Sequence, residues 1–72
     1  MADEGKVIKI IELVGVSSES FSGAVRSAVS EASKTIRGIT GVDVMQSSAK
    51  VGEDGQITEY HVNVKIAFTI ER

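Results

Sequence analysis

Apolar residues recur at every second position near the carboxyl end of the chain. Tyr60, Val62, Val64, Ile66, Phe68 and Ile70 alternate with His61, Asn63, Lys65, Ala67 and Thr69. A period of two marks a β-strand with one apolar and one mixed face. The pattern predicts a long strand from Gln56 to Ile70 as the central member of the fold. Upstream, Lys6 to Val14 is β-branched, carries charges at Lys9 and Glu12, and reads as a first strand apolar on much of both faces. An isolated strand in a monomer rarely needs that.

Gly15-Val16-Ser17-Ser18 reads as the break after this strand. Ser17 or Ser18 suits an N-cap, because a hydroxyl accepts the free amide hydrogens of a first helical turn. Phe21, Ala24, Val25, Ala28, Val29, Ala32 and Ile36 then follow the spacing of one helical face. The helix is expected to run for about five turns and stop at Gly38. Its mixture of Ala and Val lets it sit close to a sheet. Residues 42–51 resume strand character, with Val42, Val44, Gln46, Ser48 and Lys50 on one face. Asp43, Met45, Ser47, Ala49 and Val51 fall on the other. Gly52-Glu53-Asp54-Gly55 contains Asp-Gly, a strong hairpin signal.

The order is therefore β-α-β-β, an α+β class, in one domain spanning residues 1–72 with residues 1–5 expected to be frayed. A right-handed crossover makes the first two strands parallel, and the hairpin makes the third antiparallel to the second. With the third strand in the middle, the sheet is three-stranded and antiparallel. Its even-numbered face packs on the helix. The other face, carrying His61, Asn63 and Lys65, is left for solvent or a neighbouring subunit.

Length sharpens that last point. A chain of 72 residues buries only ~60% of the surface its unfolded form exposes, so many such domains rely on disulfides, metals or partners. The absence of Cys excludes disulfides, and a single His makes a zinc site of the usual kind a poor expectation. Oligomerisation remains. The net charge of −2 gives no footprint for DNA or RNA, so no nucleic-acid partner is expected. No run approaches the roughly 18 apolar residues of a membrane span, and the acidic start is unlike a signal peptide. No membrane association and a cytoplasmic location are the expectations.

Candidate chemistry is sparse. His61 shares its strand face with Glu59 and Asn63, but no nucleophile–base pair stands out, and no enzymatic activity is expected. A polar interface or ligand pocket suits His61 better. Glu53, Asp54 and Asp43 lack the spacing of an EF-hand, so within one chain they read as an exposed tip and strand. Carboxylates from several chains meeting at a symmetry axis would alter that reading. Gly15-Val16-Ser17-Ser18 lacks the glycine spacing of a phosphate loop and reads as a helix cap.

Several motifs in order carry a family resemblance. They are Glu12-Leu13-Val14-Gly15-Val16-Ser17, then Glu19-Ser20-Phe21, then Ala32-Ser33-Lys34-Thr35-Ile36-Arg37, and finally Tyr60 through Phe68. In this order and spacing over nearly the whole chain, they resemble the dodecins. The resemblance implies a hollow homododecamer whose sheet wraps the helix and whose subunit interfaces bind flavins in pairs, for storage rather than catalysis. It also implies a tryptophan just after the helix, stacking on the flavin, where this chain has Gly41, and a flavin-binding Gln where it has His61. A minority branch of the family also lacks the tryptophan and is associated with calcium; this chain is similar to that branch, with no calcium ligands identified.

The leading expectation is a non-enzymatic cage holding a small ligand or calcium at its interfaces. The alternatives are a flavin storage protein with a remodelled pocket and a protein-interaction module. In the flavin alternative Val42, Gln46, Ser48 and His61 contact the ring, and Gly41 marks the vacated stacking position.

Overall fold

A computed structural model describes residues 5–70. The fraying expected of residues 1–4 lies outside the described residues; Gly5 is described and lies outside the strands. Strand β1 (Ile8–Ser17) is followed by helix α1 (Phe21–Ser33), strand β2 (Ile39–Val51) and strand β3 (Ile57–Thr69). The sheet order is β1-β3-β2, with β3 antiparallel to both neighbours. The central place expected for the last strand is the one it occupies.

The reason is apolar periodicity. Val62, Val64 and Ile66 are fully buried on one face of β3 and, with Ala24, Ala28 and Ala32 of α1, form the core. Ile11 and Leu13 of β1 sit on the same side, opposite Ile66 and Val64. Full burial of each aliphatic side chain contributes about 1.5–3 kcal/mol. The three alanines bring the helix backbone close to the sheet, as their size suggests.

The first strand extends further than expected. Gly15-Val16-Ser17 does not break it: Gly15 pairs with Val62 and Ser17 with Tyr60. Gly15 is buried because the helix crosses directly above it. A Cβ there would overlap the Ala24 carbonyl and approach the Ala28 Cβ to 3.2 Å. The glycine permits helix–sheet contact, where the sequence suggested a turn.

The helix is shorter than expected at both ends. Ser20 is the N-cap, and its hydroxyl oxygen accepts from the Gly23 amide at 2.9 Å. The helix closes at Ser33, with Lys34 as C-cap and both Thr35 and Ile36 amides donating to the Ala32 carbonyl. β-Branched Thr35 and Ile36 disfavour further helix, and Ile36 packs on the core after the helix ends. Gly38, at φ +79°, turns the chain into β2, and its carbonyl accepts from the Thr69 amide. Phe21, expected on the buried face, is instead substantially exposed at the first helical position.

β2 departs from simple alternation. Val44 pairs with Val64 and Gln46 with Asn63, which leaves Met45 as the extra residue of a β-bulge. The bulge changes the phase of the strand. Val42 and Val44 share the helix side with Ser47 and Ala49, while Asp43, Gln46, Ser48 and Lys50 lie on the open side. The single-face set of Val42, Val44, Gln46, Ser48 and Lys50 is thus divided at Met45.

The hairpin follows expectation. Gly52 and Gln56 pair across the turn, the Asp54 carboxylate accepts from the Gln56 amide at 3.0 Å, and Gly55 takes φ +82°. At the other end of the sheet, the Ile70 amide donates to the Val7 carbonyl at 2.9 Å, holding the beginning of β1 beside the end of β3.

Candidate functional site

The core claims the even positions of β3, so the odd positions project from the face that α1 leaves open. There the three strands form cross-strand rows. Val16, His61 and Ser48 make the first; Val14, Asn63 and Gln46 the second; Glu12, Lys65 and Asp43 the third; Ile10, Ala67 and Gly41 the fourth. The face grades from hydrogen-bonding side chains through an ionic row to small and apolar ones.

His61 is the best-supported residue of the first row. Its Nε2 lies 2.9 Å from Glu59 Oε1, two residues away along the same strand, and its side chain is three-quarters buried. The carboxylate orients the imidazole and engages one of its two ring nitrogens. Ser48 and Val16 flank it on the neighbouring strands. Ser, His, Gln and Asn together offer donors and acceptors beside the β-branched surface of Val14 and Val16.

The structure places Gln46, Ser48 and His61 together on this face. Gly41 shares the face but stands opposite Ala67, six residues along β3 from His61, or roughly 20 Å at the strand rise. Val42 lies on the other face, opposite Ile66. The phase change at Met45 separates it from Gln46 and Ser48. Asn63, Glu59 and the valines at 14 and 16 complete the polar–apolar cluster. Period-two reading finds Glu59 and Asn63; Val14 and Val16 require the register of β1 on β3.

Three other features resolve plainly. At the entrance to α1, Ser17 Oγ accepts from the amides of Glu19 and Ser20 at 3.0 and 3.4 Å. Ser17 Oγ thus holds the two amides just before the helix, while the N-cap, expected at Ser17 or Ser18, falls instead at Ser20. Among the described residues no three His, Asp or Glu side chains converge to hold a metal ion. A shallow cleft of about 330 Å³ lies between the free edge of β1 and α1, lined by Leu13 to Val16, Ser27, Ala28 and Glu31. Most of its lining is aliphatic, with Ser27 and Glu31 its polar members.

Fold and site together define a small β-α-β-β domain with one helix-covered face and one polar–apolar face left open. The family model for dodecin matches residues 7–71, and the chain belongs to the dodecin family. A dodecin of Thermus thermophilus is 37% identical over 67 residues, covering 93% of this chain and 96% of that one. A solved point variant of the T. thermophilus dodecin superposes with a TM-score of 0.89 at 37% identity, covering 94% of this chain and all of the other. A dodecin from Streptomyces coelicolor gives 0.89 at 33% identity, with 97% and 99% covered. A calcium-chelating dodecin from Mycobacterium tuberculosis, described as having a novel calcium-binding site, gives 0.79 at 26% identity, with 90% and 91% covered. Another solved variant of the T. thermophilus protein exchanges a tryptophan for phenylalanine; the present chain has no tryptophan.

Proposed function

We propose that the protein is a non-enzymatic cage of twelve copies that sequesters a small ligand or calcium where open sheet faces meet. The observation carrying this reading is the amount of surface one copy leaves uncovered. The isolated chain exposes 5445 Å², whereas a compact monomer of 7.6 kDa exposes about 4,300 Å². Much of the excess is apolar. Ile8, Ile10, Val14 and Val16 line up along the open face of β1, each more than two-fifths exposed. Burial of that row by neighbouring copies would enclose the His61 cluster as a shared pocket.

Calcium takes six to eight oxygens. Since no three candidate ligands converge within the described residues of one chain, a calcium site would draw on several copies. Asp43 and Glu12, exposed at the two ends of the ionic row, are the carboxylates of this face best placed to contribute. Catalysis is disfavoured because His61 is hydrogen-bonded to the Glu59 carboxylate and, among the described residues, to no hydroxyl, Ser48 opposite it included. No helix among the described residues is long and apolar enough to cross a membrane; a cytoplasmic location fits this reading.

The polar cluster of Gln46, Ser48 and His61 favours a second reading, retained flavin binding in a remodelled pocket. A Cβ built on Gly41 meets nothing within 4 Å, so the backbone there tolerates a side chain. Light scattering decides the cage: a mass near twelve times that of one chain is expected, and a monomer would leave a protein-interaction module as the better account. For the ligand, millimolar calcium should raise the thermal midpoint and a chelator should reverse the rise; no shift would remove calcium. Quenching of riboflavin fluorescence by the unmodified protein would favour flavin. Gly41→Trp should tighten riboflavin binding by about tenfold if only the stack is missing, since an aromatic pair contributes about 0.5–1.5 kcal/mol beyond its area.

A further inference from the structure

His61 and Glu59 stand two residues apart on β3, so both project from the open face. Nε2 of the ring lies 2.9 Å from Oε1 of the carboxylate. The pair is within reach of solvent, the Glu59 side chain being 47% exposed and that of His61 25%. A neutral imidazole nitrogen and a carboxylate oxygen are both metal donors, and strand spacing has already brought them to one point. Two donors carried by one rigid strand need little further ordering to act as a chelate.

The separation of the donors selects the class of ion. Two donors each about 2.1 Å from one metal lie about 3.0 Å apart at a right angle and about 3.4 Å apart at the tetrahedral angle. The observed 2.9 Å matches the right angle. Tetragonal sets of nitrogen and oxygen suit copper(II) and nickel(II), whereas tetrahedral zinc would require the side chains to part by about half an ångström. Calcium takes oxygens, so the nitrogen donor turns the pair away from it. We infer that His61 Nε2 and Glu59 Oε1 chelate a divalent transition-metal ion of tetragonal preference, copper(II) more tightly than nickel(II).

The ion takes the place of the hydrogen between the two atoms. The neutral ring then carries its hydrogen on Nδ1, with no proton gained or lost. Two protein donors leave coordination positions for water or a small ligand, and Ser48 on β2 is the hydroxyl in register with His61. Lys50, opposite Glu59 on the same strand as Ser48, is exposed, and among the described residues no ion pair joins it to the carboxylate. Both donors belong to one chain, so the site stands whether or not the cage forms. It is also distinct from an all-oxygen calcium site shared among copies.

The test titrates copper(II) into the purified protein and reads pulsed electron paramagnetic resonance. The first equivalent bound should show modulation from the remote nitrogen of an imidazole. The chain has a single histidine, so that signature can come only from His61. His61→Gln should abolish it. Glu59→Gln should weaken copper binding by about 10–100-fold, the range for a lost metal-site partner. Glu53→Gln removes the same charge at the exposed hairpin turn and should bind as the wild type does. Far-ultraviolet circular dichroism verifies that each variant folds. A large excess of calcium should leave the copper in place. The imidazole signature and the calcium competition are read on the wild-type protein, so they decide the matter even if a substitution unfolds the chain. No imidazole modulation, displacement by calcium, or a folded Glu59→Gln that binds as tightly as wild type would each overturn the chelate. None of these results bears on the cage, which its mass decides separately.

Discussion

Two glycines show how local surroundings decide the consequence of one methyl group. At Gly15 the added carbon would meet the backbone of α1, which cannot move aside as a side-chain tip can. Gly15→Ala should lower stability by about 3 kcal/mol, the upper end of ordinary overpacking, read as a fall in the midpoint of chemical denaturation. Gly41→Ala, facing open space at ordinary backbone angles, should leave that midpoint nearly unchanged. If both substitutions cost the same, helix–sheet contact is not what Gly15 secures. A sequence shows neither difference, because both glycines neighbour strand-like residues; the distinction needs the third dimension.

At the scale of elements, α1 depends on its first turn. Ser17 and Ser20 take up three backbone donors between them. Ser20→Ala should destabilise the protein by about 1 kcal/mol, whereas Ser18→Ala, whose side chain makes no such bond among those described, should have little effect. A thermal melt of each variant separates the true cap from its neighbour. The sequence pointed to Ser17 or Ser18, whereas the cap is Ser20, because β1 continues through Ser17 and delays the start of the helix. Strand β3 was legible because its alternation runs unbroken through the core residues Val62, Val64 and Ile66. β2 was legible as a strand but not in its phase. The extra residue at Met45 moves Gln46 and Ser48 to the side of His61 and leaves Val42 behind. A bulge is a property of pairing, and pairing is not written in either strand alone. The candidate site was therefore half legible: His61, Gln46 and Ser48 meet, while the rows containing Val14, Val16, Glu12 and Asp43 emerge only from register.

For the molecule as a whole, the proposed cage would couple stability to association, since it would cover the apolar row of β1. Because assembly binds the folded chain and not the unfolded one, the thermal midpoint should rise with protein concentration. A concentration series across about two decades checks this; a constant midpoint would mean that the single chain supports itself despite its exposed surface.

The bond from Ile70 to Val7 has a practical meaning. It brings the amino-terminal and carboxy-terminal ends of the described chain together at one pole of the domain, with the Glu53–Gly55 turn at the other. A peptide linker of a few residues could join these ends, and new ends could be opened at the turn without altering the order in which strands pair. The domain is thus suited to circular permutation, and cargo joined at Val7 or Ile70 would issue from the same pole.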